Sequence, residues 1–336
     1  MKQRLEDAIA INNEFGNPDL FITFTCNPEH LDIVKCLREG EAANDRPDIV
    51  ARVFRLQLKQ FMKEMTQDNI FGKTIAHIKV IEFQKRGLPH AHVLFTLDKD
   101  DKFTTHDDID DVIRAELPDP NIEPELYKLV TEKMMHGPCG EHNPNAPCMR
   151  EKNGVKKCRF NFPYEFNEKT ELKEDGHVNY RRRNNGRKLI KTIAGKQVEL
   201  DNRWVAPYNS YLLLRFASHI NVEKVGSTTT IKYLYKYVFK GHDAAVIQLE
   251  RTNDNQRVIA YDEIAQYVEG RYLGPVEAEC RVNEYSIQER SHSVIQLPVH
   301  DEYNREIVAP VNADIEELRK ALTKDSKLIA AMKLKR

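Results

Sequence analysis

The sequence predicts an α+β fold, and three observations carry the prediction. Leu20–Thr25 is a short run rich in β-branched and aromatic residues, with turn formers on both sides. Two further strand-like runs, 75–84 and 90–97, are joined by Lys85-Arg86-Gly87-Leu88-Pro89, a turn-forming linker that makes them a hairpin. Residues 47–67 place Val50, Val53, Phe54, Leu58, Phe61, Met62 and Met65 at helical spacing, as a core-packed helix requires.

The remaining elements follow in order. Residues 3–15 form a short amphipathic pattern, ended by the turn Phe15-Gly16-Asn17-Pro18-Asp19, and Asn27-Pro28 ends the first strand. Residues 100–190 are polar and irregular and read as an insertion or subdomain with little core of its own. Globular character returns over 204–250: Trp204–Ile220 is strand-like and then mixed, and Thr228–Lys240 is helical. A short helix is expected at Tyr261–Glu269 and a charged amphipathic helix over Asp314–Lys335. Gly72-Lys73-Thr74 looks like the end of a phosphate loop, but the required earlier glycine falls on Gln67, so no nucleotide site is supported.

The 336 residues are 40% hydrophobic and 31% charged, an ordinary globular composition, and mean hydropathy is negative. No apolar run of about 18 residues is present, and the charged start lacks the apolar core of a signal peptide, so the chain is read as intracellular. The net charge of −1 counts mildly against a nucleic-acid partner. Local patches stand against that average: Arg181, Arg182, Arg183, Arg187, Lys188 and Lys191 form one, and the tail Lys324, Lys327, Lys333, Lys335 and Arg336 another. Each can equally be a solvated face.

His90-Ala91-His92 is the sharpest local signal. Strand alternation puts both imidazoles on one face, a pleat apart, where they can grip one divalent ion. Glu82 and Gln84 on the partner strand share a face and are candidates for the third ligand. Two neutral imidazoles and an oxygen leave positions open for water and a phosphate oxygen, which suits Mg2+ or Mn2+ acting as a Lewis acid. The bland alternative is a polar strand face.

Tyr233 and Tyr237 supply a possible nucleophile. On a helix they stand four apart on one face, with Lys232, Lys236 and Lys240 as a basic stripe beside them. A phenol can attack a metal-neutralised phosphate, leaving a 5′-phosphotyrosine and a free 3′-hydroxyl, and two tyrosines permit two successive strand transfers. The alternative is a pair of core aromatics.

Six cysteines occur, and three crowd together. His136-Gly137-Pro138-Cys139 followed by Cys148 and Cys158 makes a one-histidine, three-cysteine set fit for structural Zn2+, with His142 as an alternative ligand. The alternative is three free thiols in a flexible insert.

These residues together resemble a known family. Pro18–Pro28, Glu82–His92, Tyr180–Arg183, Asp201–Asn209, His219–Glu223 and Lys232–Gly241 are similar, in order, to motifs of the Rep nuclease domain of Helitron transposases, the helicase-like N-terminal region of these HUH-superfamily rolling-circle initiators. The resemblance implies an antiparallel central sheet flanked by helices in a palm-like HUH fold, with the histidine strand central, the tyrosine helix packed over it, and an irregular cysteine-containing insertion. It implies His90 and His92 as metal ligands, Tyr233 and Tyr237 as catalytic tyrosines, and single-stranded DNA at transposon ends as substrate. Arg181, Arg182, Arg183, Arg203 and Trp204 become candidate DNA contacts, alongside Lys232, Lys236 and Lys240. The expected location is intracellular and nuclear. Family members continue into a Pif1-type helicase domain. These residues carry no phosphate loop, so no ATPase or helicase activity is expected here.

The implied organisation is a first part of the nuclease core over 1–99, an insertion over 100–200, a second part of the core over 201–300, and a charged helical extension over 301–336. Three readings remain open: an active tyrosine nickase and strand transferase, a catalytically inactive DNA-binding remnant of such a transposase, and an unrelated hydrolase using His90, His92 and Glu82 with water.

Overall fold

The computed structural model describes residues 2–83, 87–152, 154–173, 178–193, 196–225, 248–251, 257–260, 273–297, 299, 314–323 and 325–334. The expected helices at 228–240 and 261–269 lie outside the described residues, and so do Lys232, Tyr233, Lys236, Tyr237, Lys240 and Gln84. The chain divides into two units, Met1–His292 and Ser293–Arg336.

The first unit is mixed α/β around a five-stranded antiparallel sheet. Its strands are β1 (Leu20–Thr25), β2 (Thr74–Phe83), β3 (Pro89–Leu97), β10 (Ile220–Lys224) and β13 (Gln288–Arg290), in the order β10-β1-β3-β2-β13. The histidine strand β3 is therefore central, as expected. Its hairpin partner is β2, and Gly87 in the connection sits at φ 81, a left-handed conformation that a side chain resists.

Alternation decides the two faces of this sheet. Leu20, Ile22 and Phe24 of β1, Ala91, Val93 and Phe95 of β3 and Ile220 and Val222 of β10 share one hydrophobic core. Helix α3 (Pro47–Thr66) covers that face, with Pro47 in its first turn and Phe54, Leu58, Phe61, Met62 and Met65 buried. Phe61 meets Phe24 and Phe95 in tilted and edge-on contacts, and Phe216 of α6 (Ser210–Phe216) joins them. The opposite face of the sheet carries the histidines.

Trp204–Ile220 is not strand-like. A 3-10 turn at Asn202–Trp204 leads to α6, capped by the Asn209 side chain accepting from the Leu212 amide, and Ala217 at φ 47 turns the chain into β10. Capping and burial of Leu212, Leu213 and Phe216 override the local β propensity.

The polar stretch 100–190 has a core after all. Leu117, Leu126, Val130, Met134, Cys139, Cys148, Cys158, Leu200, Trp204, Val205, Tyr208 and Leu213 form a second buried cluster. It draws on α5 (Pro124–Leu129), the hairpin β4 (Met149–Lys152) and β5 (Val155–Cys158), and the hairpin β8 (Leu189–Ile193) and β9 (Lys196–Leu200). Its apolar residues are scattered in sequence, so no periodicity announced it. A further hairpin pairs Gln248–Arg251 with Arg257–Ala260.

In the second unit, helices Ile315–Thr323 and Lys327–Leu334 replace the single helix expected over 314–335. Among the described residues, no helix is long and apolar enough to cross a membrane.

Candidate functional site

Register builds the site on the face of the sheet opposite α3. One row runs Gln288, Val80, His92, Thr23, Asn221 across all five strands. The next runs Glu82, His90, Thr25, and the Thr25 amide bonds to the His219 carbonyl at 3.0 Å, which continues the row. Residues directly opposite in an antiparallel pair share a face, so both histidines, both threonines and Glu82 meet on one surface.

The threonines hold the imidazoles by their inner nitrogens. Thr25 Oγ1 lies 2.8 Å from His90 Nδ1, and Thr23 Oγ1 lies 3.2 Å from His92 Nδ1. Phe21 stacks against the His92 ring with centroids 5.8 Å apart. Each Nε2 then lies on the side of its ring away from the threonine. His92 Nε2 stands 3.4 Å from Glu82 Oε2, and His90 Nε2 is buried with no hydrogen-bond partner among the described residues. Burial, and then the neighbouring His92 and His219, push the His90 pKa down to about 4, so the ring is neutral at physiological pH.

An imidazole pinned through Nδ1, with Nε2 open and the ring neutral, is the usual state of a metal-binding histidine. His90 meets that description, and His92 and Glu82 add a nitrogen and an oxygen donor of the kinds a divalent ion takes. Their ligand atoms do not converge on a single point, however. Among the described residues, the only group of three or more candidate ligands that converges is the cysteine set.

His219 joins this surface without having been singled out as a ligand. Its ring is pushed down to about 4 by burial and then by Lys133, and its Nδ1 lies 3.3 Å from Met134 Sδ. The threonines were missed too, although alternation along β1 already sets Thr23 and Thr25 apart from Leu20, Ile22 and Phe24.

The second site is the cysteine cluster. His136, Cys139, Cys148 and Cys158 bring one ligand atom each to within 4.8 Å of one another. A tetrahedral zinc with bonds of about 2.3 Å needs sulfurs roughly 3.8 Å apart, so little movement separates this arrangement from a bound ion. Cys148 and Cys158 stand at the base of the β4–β5 hairpin, where Met149 pairs with Cys158. His136 is fixed by its amide bonding to the Trp204 carbonyl at 2.9 Å and by its ring stacking on Phe162 at 4.2 Å. Its Nε2 lies 3.5 Å from Cys158 Sγ. Burial, and then the adjacent sulfurs, push the Cys139 thiol up to about 12. This cluster can hold a metal such as zinc.

The candidate DNA contacts divide sharply. Arg182 is 1% exposed, with its guanidinium 4.3 Å over the Tyr164 ring and donating to the Val205 carbonyl; Trp204 is 3% exposed inside the second core. Neither reaches a strand of DNA unless the fold opens. Arg181 pairs with Asp110, Arg183 with Glu116, and Arg203 with Asp201. A basic run in sequence is thus largely neutralised in space.

No curated protein matches the chain. Residues 1–95, which hold β1, α3, β2 and the histidine strand as far as Phe95, match the family described as Helitron helicase-like domain at N-terminus, and the match supports a Helitron-related origin for this part of the chain.

Proposed function

We propose that this chain is a metal-dependent nickase and strand transferase for single-stranded DNA, with the palm-like HUH fold, serving rolling-circle transposition of a Helitron-like element in the nucleus. One observation carries the reading: on the central strand, His90 is anchored through Nδ1 and presents a buried Nε2 with no partner among the described residues, beside His92 and Glu82. Burying an imidazole nitrogen without a partner costs roughly 1–3 kcal/mol, and a ligand that fills it explains why the cost is tolerated. His90, His92 and Glu82 would hold Mg2+ or Mn2+, with Gln84 as the further candidate. Such an ion, when bound, supplies Lewis-acid neutralisation of the scissile phosphate.

The chain's own part is the nucleophile. In this reading the phenol oxygen of Tyr233 or Tyr237 forms a bond to phosphorus while the bond to the 3′-oxygen breaks. The phenol proton is lost to solvent or a neighbouring base, and the leaving 3′-oxygen takes one up. The 5′-phosphotyrosine retains the ester, so attack by a second 3′-hydroxyl rejoins strands without ATP. Lys232, Lys236 and Lys240 are proposed to hold the flanking phosphates.

A denaturing gel after incubation with Mn2+ and a labelled single-stranded oligonucleotide tests this. A covalent protein–DNA band, lost only when Tyr233→Phe and Tyr237→Phe are combined, is expected. Cleavage with no covalent band would indicate hydrolysis by water, and binding with no cleavage would leave the inactive DNA-binding remnant.

A further inference from the structure

Most cations of the 181–191 patch are paired with carboxylates, but three at the β4–β5 hairpin are not. Arg150, Lys157 and Arg159 are exposed and have no carboxylate partner among the described residues. Arg150 Nη1 donates only to the Pro147 and Met149 carbonyls. By register, Arg150 stands directly opposite Lys157. Like charges facing each other across strands destabilise a hairpin, so this outward face is costly unless an anion lies on it.

The inward face has the opposite character. Met149 and Cys158, one step along the ladder, are buried against the second core, and Cys158 belongs to the convergent cluster. Four paired residues on each strand are marginal alone. The hairpin is therefore held from behind by the Cys3His set, which closes with four protein ligands and leaves no open position for chemistry. Beyond β5, Phe160 is 42% exposed with the Arg159 guanidinium 4.4 Å from its ring centroid. Unpaired cations beside an exposed aromatic are what a single nucleic-acid strand needs: phosphate contacts and a stacking platform.

We propose that His136, Cys139, Cys148 and Cys158 hold a structural zinc ion that presents Arg150, Lys157 and Arg159 to the phosphates of single-stranded DNA, with Phe160 as a stacking surface. The choice of DNA as ligand rests on the function proposed above; the zinc and the basic face do not.

The test uses the full chain, with fluorescence anisotropy of a labelled oligothymidylate across a salt series and no added Mg2+ or Mn2+. Zinc content is measured in the same samples. The variant Arg150→Gln/Lys157→Gln/Arg159→Gln changes only exposed side chains. It should keep one zinc per chain and lose about 2 from the slope of log affinity against log salt, since each phosphate contact on a single strand contributes roughly 0.7. At ~0.1 M salt that is a loss of about tenfold to a hundredfold. Cys148→Ser should lose both the zinc and the same increment of affinity. An unchanged slope in the triple variant overturns the DNA contact, and so does loss of binding to anionic vesicles with DNA binding intact. A zinc-free chain purified under reducing conditions overturns the metal assignment. Because no strand need be cut, absence of a tyrosine adduct in the gel assay leaves these outcomes readable.

Discussion

Replacing Thr25 with Val removes one hydroxyl and keeps the branched shape that β1 packs. The lost oxygen lies 2.8 Å from His90 Nδ1, and His90 is 7% exposed. With Nε2 already unpartnered among the described residues, both ring nitrogens of the variant would be buried without bonds. A buried polar group left unpaired costs about 1–3 kcal/mol. For a unit near this size that lowers the melting temperature by roughly 2–4 °C per kcal/mol. Orientation is lost as well, since the imidazole can rotate or change tautomer. Removing such a supporting partner weakens metal binding by about 10–100-fold, or roughly 1.4–2.7 kcal/mol. Thermal unfolding without metal and calorimetric titration with Mn2+ read the two effects separately. Thr23→Val is the internal control: its contact to His92 Nδ1 is longer, at 3.2 Å, and the effect should be smaller. If Thr25→Val shifts neither the melting temperature nor the Mn2+ affinity, the hydroxyl does not fix His90 and the argument for a prepared metal ligand fails.

Two further outcomes follow from the second core. Trp204 is the single tryptophan, buried beside His136 with ring centroids 6.5 Å apart, so a zinc chelator should red-shift its emission and lower the melting temperature, while zinc restores both; an emission spectrum indifferent to chelation would separate the cluster from this core. Arg182→Met keeps the volume but removes the donors to the Val205 and Tyr180 carbonyls and the stacking on Tyr164, and should cost about 1–3 kcal/mol of stability with DNA affinity unchanged below the melting range; a reduced salt slope instead would make this arginine a phosphate contact.

What the sequence determined by itself is local. Helical spacing placed α3, and β-branched and aromatic content placed β1. The hairpin of β2 and β3 followed from two strand-like runs around a Gly-Leu-Pro turn, and with it the common face of His90 and His92. Each of these depends on neighbours within a few residues, where side-chain period is enough. The cysteine cluster was legible for a related reason: sulfur and imidazole crowded into a short stretch have few other uses. Tertiary structure decided which strands lie beside β3, and so brought Thr23, Thr25 and His219 to the histidines from elements far apart in sequence. It also decided the fate of charge. Arg181, Arg183 and Arg203 found carboxylates and Arg182 a ring to lie on, whereas Arg150, Lys157 and Arg159 found no carboxylate among the described residues. Periodicity cannot foresee that sorting, because ion pairing depends on distances across the fold rather than along the chain.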